Sequence, residues 1–143
     1  MAQVKSTPPR RTRLFLDANI LVSAAWKDAS KVLQLWRIPG VELITSNFVV
    51  DECLRNLPFP DQHKRLDDLL QTVRVLTFQQ PPSLENPPPL VEKDQHVFAA
   101  AVLARADYLV TGDRTHFGAY YGKKLQGVRI EPPASFPSVL LVA

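Results

Sequence analysis

The chain has 143 residues, a formal net charge of +3, a pI near 9.2 and 45% hydrophobic residues. That length argues for one domain with a real core, and the composition argues against disorder. The mild positive charge permits a nucleic-acid partner without demonstrating one, the single cysteine (Cys53) excludes an internal disulfide and a cysteine-rich zinc site, and no stretch reaches the roughly 20 apolar residues of a membrane span.

Residues 1–12 are polar, basic and aperiodic, and read as a flexible basic arm ahead of a single domain over 13–143. Basic residues before the apolar run Leu14–Ala25 resemble a secretory leader, but Asp17 and Asn19 interrupt that run, so the expectation is a soluble, cytoplasmic protein. Arg13–Leu16 reads as a short buried strand that ends at an acid. Asn19–Trp26 reads as a helix, and Ser30–Trp36 as a second one with Ser30 as its cap, stopped by Pro39 and Gly40.

Val41–Thr45 is the next predicted strand. Ser46 or Asn47 can cap a helix whose apolar face carries Val49, Val50, Cys53, Leu54 and Leu57. Cys53 is expected as a small buried apolar residue. Asp61–Thr72 reads as an amphipathic helix with Leu66, Leu69 and Leu70 inward, and Val73–Thr77 as a third strand. Gln79–Pro89 holds five prolines and must be an extended connection. From Lys93 or Asp94 to Arg105 the period is helical again, with Val97, Phe98, Ala101 and Arg105 on one stripe. Asp107–Thr111 is a fourth strand. Gly127–Glu131 is a fifth, edge-like because Pro132 and Pro133 follow it.

Strands alternating with helices predict an α/β fold, a three-layer α/β/α sandwich around a mostly parallel sheet. Right-handed crossovers then set all strand C-terminal ends along one edge, where such sheets bind ligands. Asp17 follows the first strand, and Asp113 follows the fourth by way of Thr111 and Gly112. Asp94 and either Asp51 or Glu52 fall in the first turns of helices that start at that same edge. Taken singly, each acid also reads as a turn former, a cap or a solvated residue. Asp94 continues the stripe of its helix, which turns it toward the sheet. Helical geometry does not choose between Asp51 and Glu52.

The stretches "RLFLDANILVSA", "LITSNFVVDECLRNL", "KDQHVFAAAVLARADYLVTGD" and "VRIEPPASF", in this order, resemble a PIN-domain nuclease. More narrowly, they are similar to the toxin components of toxin–antitoxin pairs. The resemblance spans about Arg13 to Phe136. It implies a catalytic set of Asp17, Glu52, Asp94 and Asp113, and so selects Glu52 over Asp51. It also implies an endoribonuclease that hydrolyses RNA phosphodiester bonds with a divalent metal, and a cognate antitoxin protein as partner. One departure is the long Pro-rich segment before Asp94. Self-association through helices is compatible with the sequence, which shows no interface for it.

Clustered carboxylates repel each other unless a cation is present, and oxygen ligands without thiolates point to Mg²⁺ or Mn²⁺. The metal residues are then Asp17, Asp94 and Asp113, with Asp17 and Asp94 the nearest ligands; Glu52 and Asp113 would hold ion-bound waters or a second ion. Asn19 and Thr111 are expected as supporting hydrogen-bond partners. An acidic crevice must also be flanked by cations to hold a polyanion, and Lys93 and Arg114, each adjacent to a site acid, are the expected RNA-binding residues. The expected reaction is in-line attack of water on phosphorus, leaving a 5′-phosphate and a 3′-hydroxyl.

His63, His96 and His116 make no metal pair by spacing and read as surface or satisfied residues. The two tryptophans and the phenylalanines read as core rather than as base-stacking platforms. The alternatives are a catalytically silent PIN-like module that binds RNA or protein, and a phosphoryl-handling domain. An aspartyl phosphatase needs an acid two residues after its nucleophile, where this chain has Asn19.

Overall fold

Short apolar runs rich in Leu, Ile, Val and Phe pair into one sheet, and the longer periodic stretches between them wind into helices that cover it. The computed structural model describes residues 10–28 and 30–141. Its strands are β1 (Thr12–Leu16), β2 (Val41–Ser46), β3 (Val73–Leu76), β4 (Tyr108–Val110), β5 (Lys124–Leu125) and β6 (Val128–Glu131). Its helices are α1 (Ala18–Trp26), α2 (Asn47–Asn56), α3 (Pro60–Leu70), α4 (Glu92–Leu103) and the single turn α5 (Arg114–Phe117). The stretch expected as a second helix is a 3-10 turn over Lys31–Arg37, and Ser30 makes no side-chain cap to it.

The six strands run in the order β3-β2-β1-β4-β6-β5. All neighbours are parallel except β5 with β6. With helices on its faces, the sheet makes the three-layer α/β/α sandwich that the alternation predicts. From β1 the chain winds outward to β2 and β3, then crosses back to place β4 on the other side of β1. That reversal opens a crevice between the C-terminal ends of β1 and β4.

The sheet interior is apolar: Leu14, Phe15, Leu16, Ile44, Leu109, Val110 and Ile130 are all fully buried. Thr45 Oγ1 donates to the Leu16 carbonyl at 2.9 Å and ties β2 to β1 where β1 ends. On α2, Val49, Cys53 and Leu57 are buried at i, i+4 and i+8, whereas Leu54 is exposed and lies off that face. Burial pushes the Cys53 thiol up to about 12, as an inert core cysteine requires.

Three expectations are corrected. Gly127–Glu131 does not form an edge strand. Gln126 and Gly127 both take positive φ, 48° and 85°, and make the two-residue turn that folds β5 back onto β6. A glutamine in that turn hides the hairpin, since Asn-Gly or Asp-Gly is the usual signature. Arg105 does not extend the stripe of α4. It sits past the helix end at φ 54°, and Ala106 N donates to Ala101 O at 3.0 Å, closing a Schellman motif. Trp26 is 47% exposed because it is the last residue of α1, and only its carbonyl is engaged, by Arg65 and Gln62.

The basic arm falls outside the described residues over 1–9. Arg10 pairs with Asp107 at 2.7 Å, and Thr12 opens β1.

Candidate active site

Asp17 immediately follows β1 and is 4% exposed. Its backbone caps α1, and its Oδ1 accepts from Ala18 N at 2.7 Å. Its Oδ2 accepts from Thr111 Oγ1 at 2.8 Å and from Asn19 Nδ2 at 3.1 Å. Capping and a place in the crevice, read as alternatives in the sequence, are therefore combined in one carboxylate. Burial pushes its pKa from 3.8 up to about 6, against the hydrogen bonds from Thr111 and Ala18. Asp94 and Glu52 add further upward pressure through their charges.

Thr111, Gly112 and Asp113 make the turn that brings the fourth strand to the same place. Thr111 is fully buried, and its Oγ1 also accepts from Asn19 Nδ2 at 3.3 Å and from Asp113 N at 3.2 Å. Gly112 N donates to Asn19 Oδ1 at 2.7 Å. A Cβ at Gly112 would sit 3.3 Å from that oxygen, so a side chain there would crowd the contact. Tyr121 Oη donates to the Thr111 carbonyl at 2.8 Å and supports the turn from outside. Asn19 and Thr111 both hydrogen-bond to Asp17 and tie the ends of β1 and β4 together around it.

One consequence is measurable. Thr111→Val keeps the side-chain shape but removes a buried hydroxyl with three hydrogen-bond partners: buried Asp17 and half-buried Asn19 and Asp113. We expect a loss of about 2–3 kcal/mol of stability, read as a shift in the urea midpoint at constant slope. A loss below about 0.5 kcal/mol would show that the network does not hold the strand ends.

Asp94 lies in the first turn of α4 and is 4% exposed. Val97, Phe98 and Ala101 on its stripe are buried beneath it. Its pKa is raised, chiefly by burial, with Asp113 and Glu52 adding to the rise and His116 and Lys93 opposing it. Asp113 is half-buried, and its Oδ1 caps α5 by accepting from His116 N at 3.1 Å. Glu52, one turn into α2, lines the crevice, whereas Asp51 is exposed and does not. Packing thus separates the two acids that helical spacing could not rank. Lys93 Nζ pairs with Glu52 Oε1 at the crevice rim. Arg114 is exposed beside Asp113. The crevice encloses about 400 Å³ and is lined by Asp17, Asn19, Glu52, Lys93, Asp94 and Asp113, among others.

His116 is the residue that sequence reasoning missed. Its Nδ1 lies 2.8 Å from Asp94 Oδ2 and 2.9 Å from Asp113 Oδ2. The signal was available, since His116 sits three residues after Asp113 and one helical turn returns it to the same face. His63 and His96 are satisfied as expected, by the carbonyls of Leu57 and Pro82, each at 2.7 Å.

These residues fit a divalent cation. A single ring nitrogen cannot aim one hydrogen at two oxygens, and Asp94 Oδ2 is left buried without a directed hydrogen bond. Ligand atoms of Asp94, Asp113 and His116 lie within 4.8 Å of one another. Among the described residues that is the group with this spacing; Asp17 and Glu52 line the same crevice just outside it. The carboxylate oxygens are the hard donors that divalent cations take, with one imidazole beside them and no thiolate.

The family model described as the PIN domain matches residues 13–115. The chain belongs to the PIN-domain family. This PIN domain has no match among curated proteins. Among solved structures it resembles VapBC2 from Rickettsia felis, seen bound to a DNA fragment from its promoter. That likeness has a TM-score of 0.58 and 15% identity, covering 85% of this chain and 98% of the other. It also resembles a PilT N-terminus domain protein from the archaeon Sulfolobus solfataricus P2. There the TM-score is 0.53 at 14% identity, over 92% of this chain and 96% of the other. At such identities the likeness establishes the PIN domain's fold, and its chemistry rests on the crevice.

Proposed function

We propose that this PIN domain is a metal-dependent endoribonuclease and the toxin of a toxin–antitoxin pair, acting in the cytoplasm. The observation that carries the reading is the convergence of Asp17, Glu52, Asp94 and Asp113 on one crevice at the sheet's reversal point. Two of these acids have raised pKa values, and one buried oxygen has no directed partner. Such an arrangement is unfavourable by itself and becomes favourable around a cation. PIN domains are generally nucleases, which agrees with this reading. The sequence resemblance to toxin components and the fold likeness to VapBC2 support an antitoxin partner.

Asp94 and Asp113, with Asp17 nearby, would hold Mg²⁺ or Mn²⁺, which supplies charge neutralisation at the phosphoryl oxygens. Asp17, with its pKa near 6, is mostly ionised at neutral pH and is placed to take a proton from the attacking water. Thr111 and Asn19 hold that carboxylate in one orientation. Glu52, held by Lys93, keeps a further negative charge at the rim and would add to the attraction for a cation. Arg114 and Lys93 would contact the phosphates flanking the scissile bond.

Cleavage of a labelled RNA pool in Mg²⁺ or Mn²⁺ tests this. We expect hydrolysis that stops on chelation, resumes on adding either ion, and leaves 5′-phosphate ends. RNA binding with no turnover in either ion would leave the silent binding module in its place. A small basic protein should co-purify from the native host and inhibit the cleavage.

A further inference from the structure

Beside the acidic crevice lies a second cavity, of about 370 Å³, between α2, the first turns of α4 and the Pro-rich segment. Its walls are mostly apolar and include Phe48, Pro81, Pro82 and Val97. Glu52 and Lys93 line both cavities, so the two spaces share a wall. We propose that this groove receives the nucleobase next to the scissile phosphate, stacked on Phe48. The inference rests on the RNA-cleaving reading of the crevice and extends it to substrate recognition.

Four features favour a base in this groove. The first is continuity: a strand with one phosphate among the four acids has its adjoining nucleotide at the shared wall. The second is shape: a cavity of this size with one aromatic wall and a few polar groups suits a flat, amphipathic ring. Phe48 is half-buried on α2, unlike the fully buried Phe15, Phe98 and Phe117 that fill the core. The expectation that the phenylalanines are all core therefore fails for Phe48, which follows Asn47 at the start of the helix, as it does for the exposed Phe59 ahead of α3.

The third feature is charge. Arg55 lines the groove and Lys93 stands at its shared wall; both are exposed and suited to the phosphates of a strand entering there. Glu92, on the same wall, sits near His96, with 3.6 Å between His96 Nε2 and Glu92 Oε1. The fourth feature is a pre-built wall. The Pro-rich segment is pinned along its length. Asn47 exchanges two hydrogen bonds with the Phe78 backbone, both 2.9 Å; His96 Nδ1 meets the Pro82 carbonyl at 2.7 Å. Gln126 donates to the Asn86 carbonyl at 2.9 Å, and Gln95 to the Leu90 carbonyl at 2.8 Å. Proline rings held this way form a surface that needs little ordering when a ligand arrives. The long connection that departs from the family pattern thus becomes one side of a recognition site.

The test uses the full chain carrying Asp94→Asn, which stops hydrolysis and lets binding be read in Mg²⁺. The probes are a labelled RNA 12-mer pool and the same length with abasic sugars at successive positions, compared by fluorescence anisotropy. We expect weaker binding of the abasic strand when the missing base falls at the groove. Phe48→Ala should weaken binding of the base-bearing RNA by about 5- to 100-fold, the range that loss of one stacking aromatic spans, and remove its advantage over the abasic strand. Phe48→Tyr should restore it. Should Phe48→Ala fail to fold, Phe48→Leu keeps apolar volume and removes the aromatic face. Equal affinity for base-bearing and abasic strands overturns the proposal, as does RNA binding insensitive to Phe48. The same holds if Phe48→Ala spares RNA binding yet releases the co-purifying protein, since the groove would then be a protein contact. If bases bind through Phe48 but the unmodified chain cleaves nothing in Mg²⁺ or Mn²⁺, the hydrolytic reading fails and the groove stands.

Discussion

Asp17→Asn should lower RNA hydrolysis by about 10²- to 10⁴-fold, the range that loss of a positioned proton acceptor covers, while making the ion-free protein more stable above neutral pH. The two effects share one cause. Burial raises the Asp17 pKa from the 3.8 of an exposed carboxyl to about 6 in the folded chain. Between those values the native state binds more protons than the unfolded state. The contribution of this group to stability is therefore greatest below about pH 4, falls as pH rises through 6, and stays reduced above it. That rise corresponds to about 3 kcal/mol. Asparagine removes the charge. It also sets its own amide hydrogens against those of Asn19, losing one favourable contact worth about 1 kcal/mol. The expected net gain is about 2 kcal/mol at pH 8, shrinking toward pH 4, read as melting temperatures in chelator. Saturating Mg²⁺ should restore the unmodified chain preferentially, because the ion binds only the folded carboxylates. A variant less stable than the parent at pH 8 without ions would mean that burial among the other acids does not disfavour the Asp17 carboxylate.

Phe98→Ala should be among the most damaging single changes outside the crevice. The ring is fully buried one turn after Asp94 on the same stripe of α4. Its removal should lower stability by about 3–5 kcal/mol, a large share of the 5–15 kcal/mol typical of a domain. It should also weaken hydrolysis at temperatures where the variant remains folded, since α4 carries Asp94 and the ring sets how the helix seats on the sheet. Phe98→Leu should recover most of the loss because it refills much of the volume. Urea unfolding of both variants checks this. A loss under about 1 kcal/mol for the alanine would mean that α4 does not take its position from this contact.

Much of the fold could be read from local pattern. The central parallel strands β1, β2 and β4 are short apolar runs that end fully buried, so they stand out against their neighbours without tertiary information. Asp17 and Asp113 were legible for the same reason: an acid placed directly after a buried strand must emerge at the strand's C-terminal end. The β5–β6 hairpin was not legible. Its turn uses Gln126, which reaches positive φ because the strand pairing holds it there, and no local preference announces it. Trp26 and Leu54 were misread because amphipathic periodicity reports which way a side chain points and not whether anything lies in that direction.

The sequence by itself determined the layered α/β architecture, the edge at which the acids emerge, and the absence of soft ligands. These follow from properties that each short segment carries alone: period, side-chain size, and what comes after a strand. Helical spacing left Asp51 and Glu52 unranked and the family resemblance implied Glu52; the tertiary structure sets Glu52 in the crevice, and it alone could decide that His116 lies between Asp94 and Asp113 and that prolines far from α2 wall a groove against Phe48. Each is a meeting of side chains from elements distant in sequence. Such a meeting depends on how helices roll and seat on the sheet, and that is set by packing summed over the whole core.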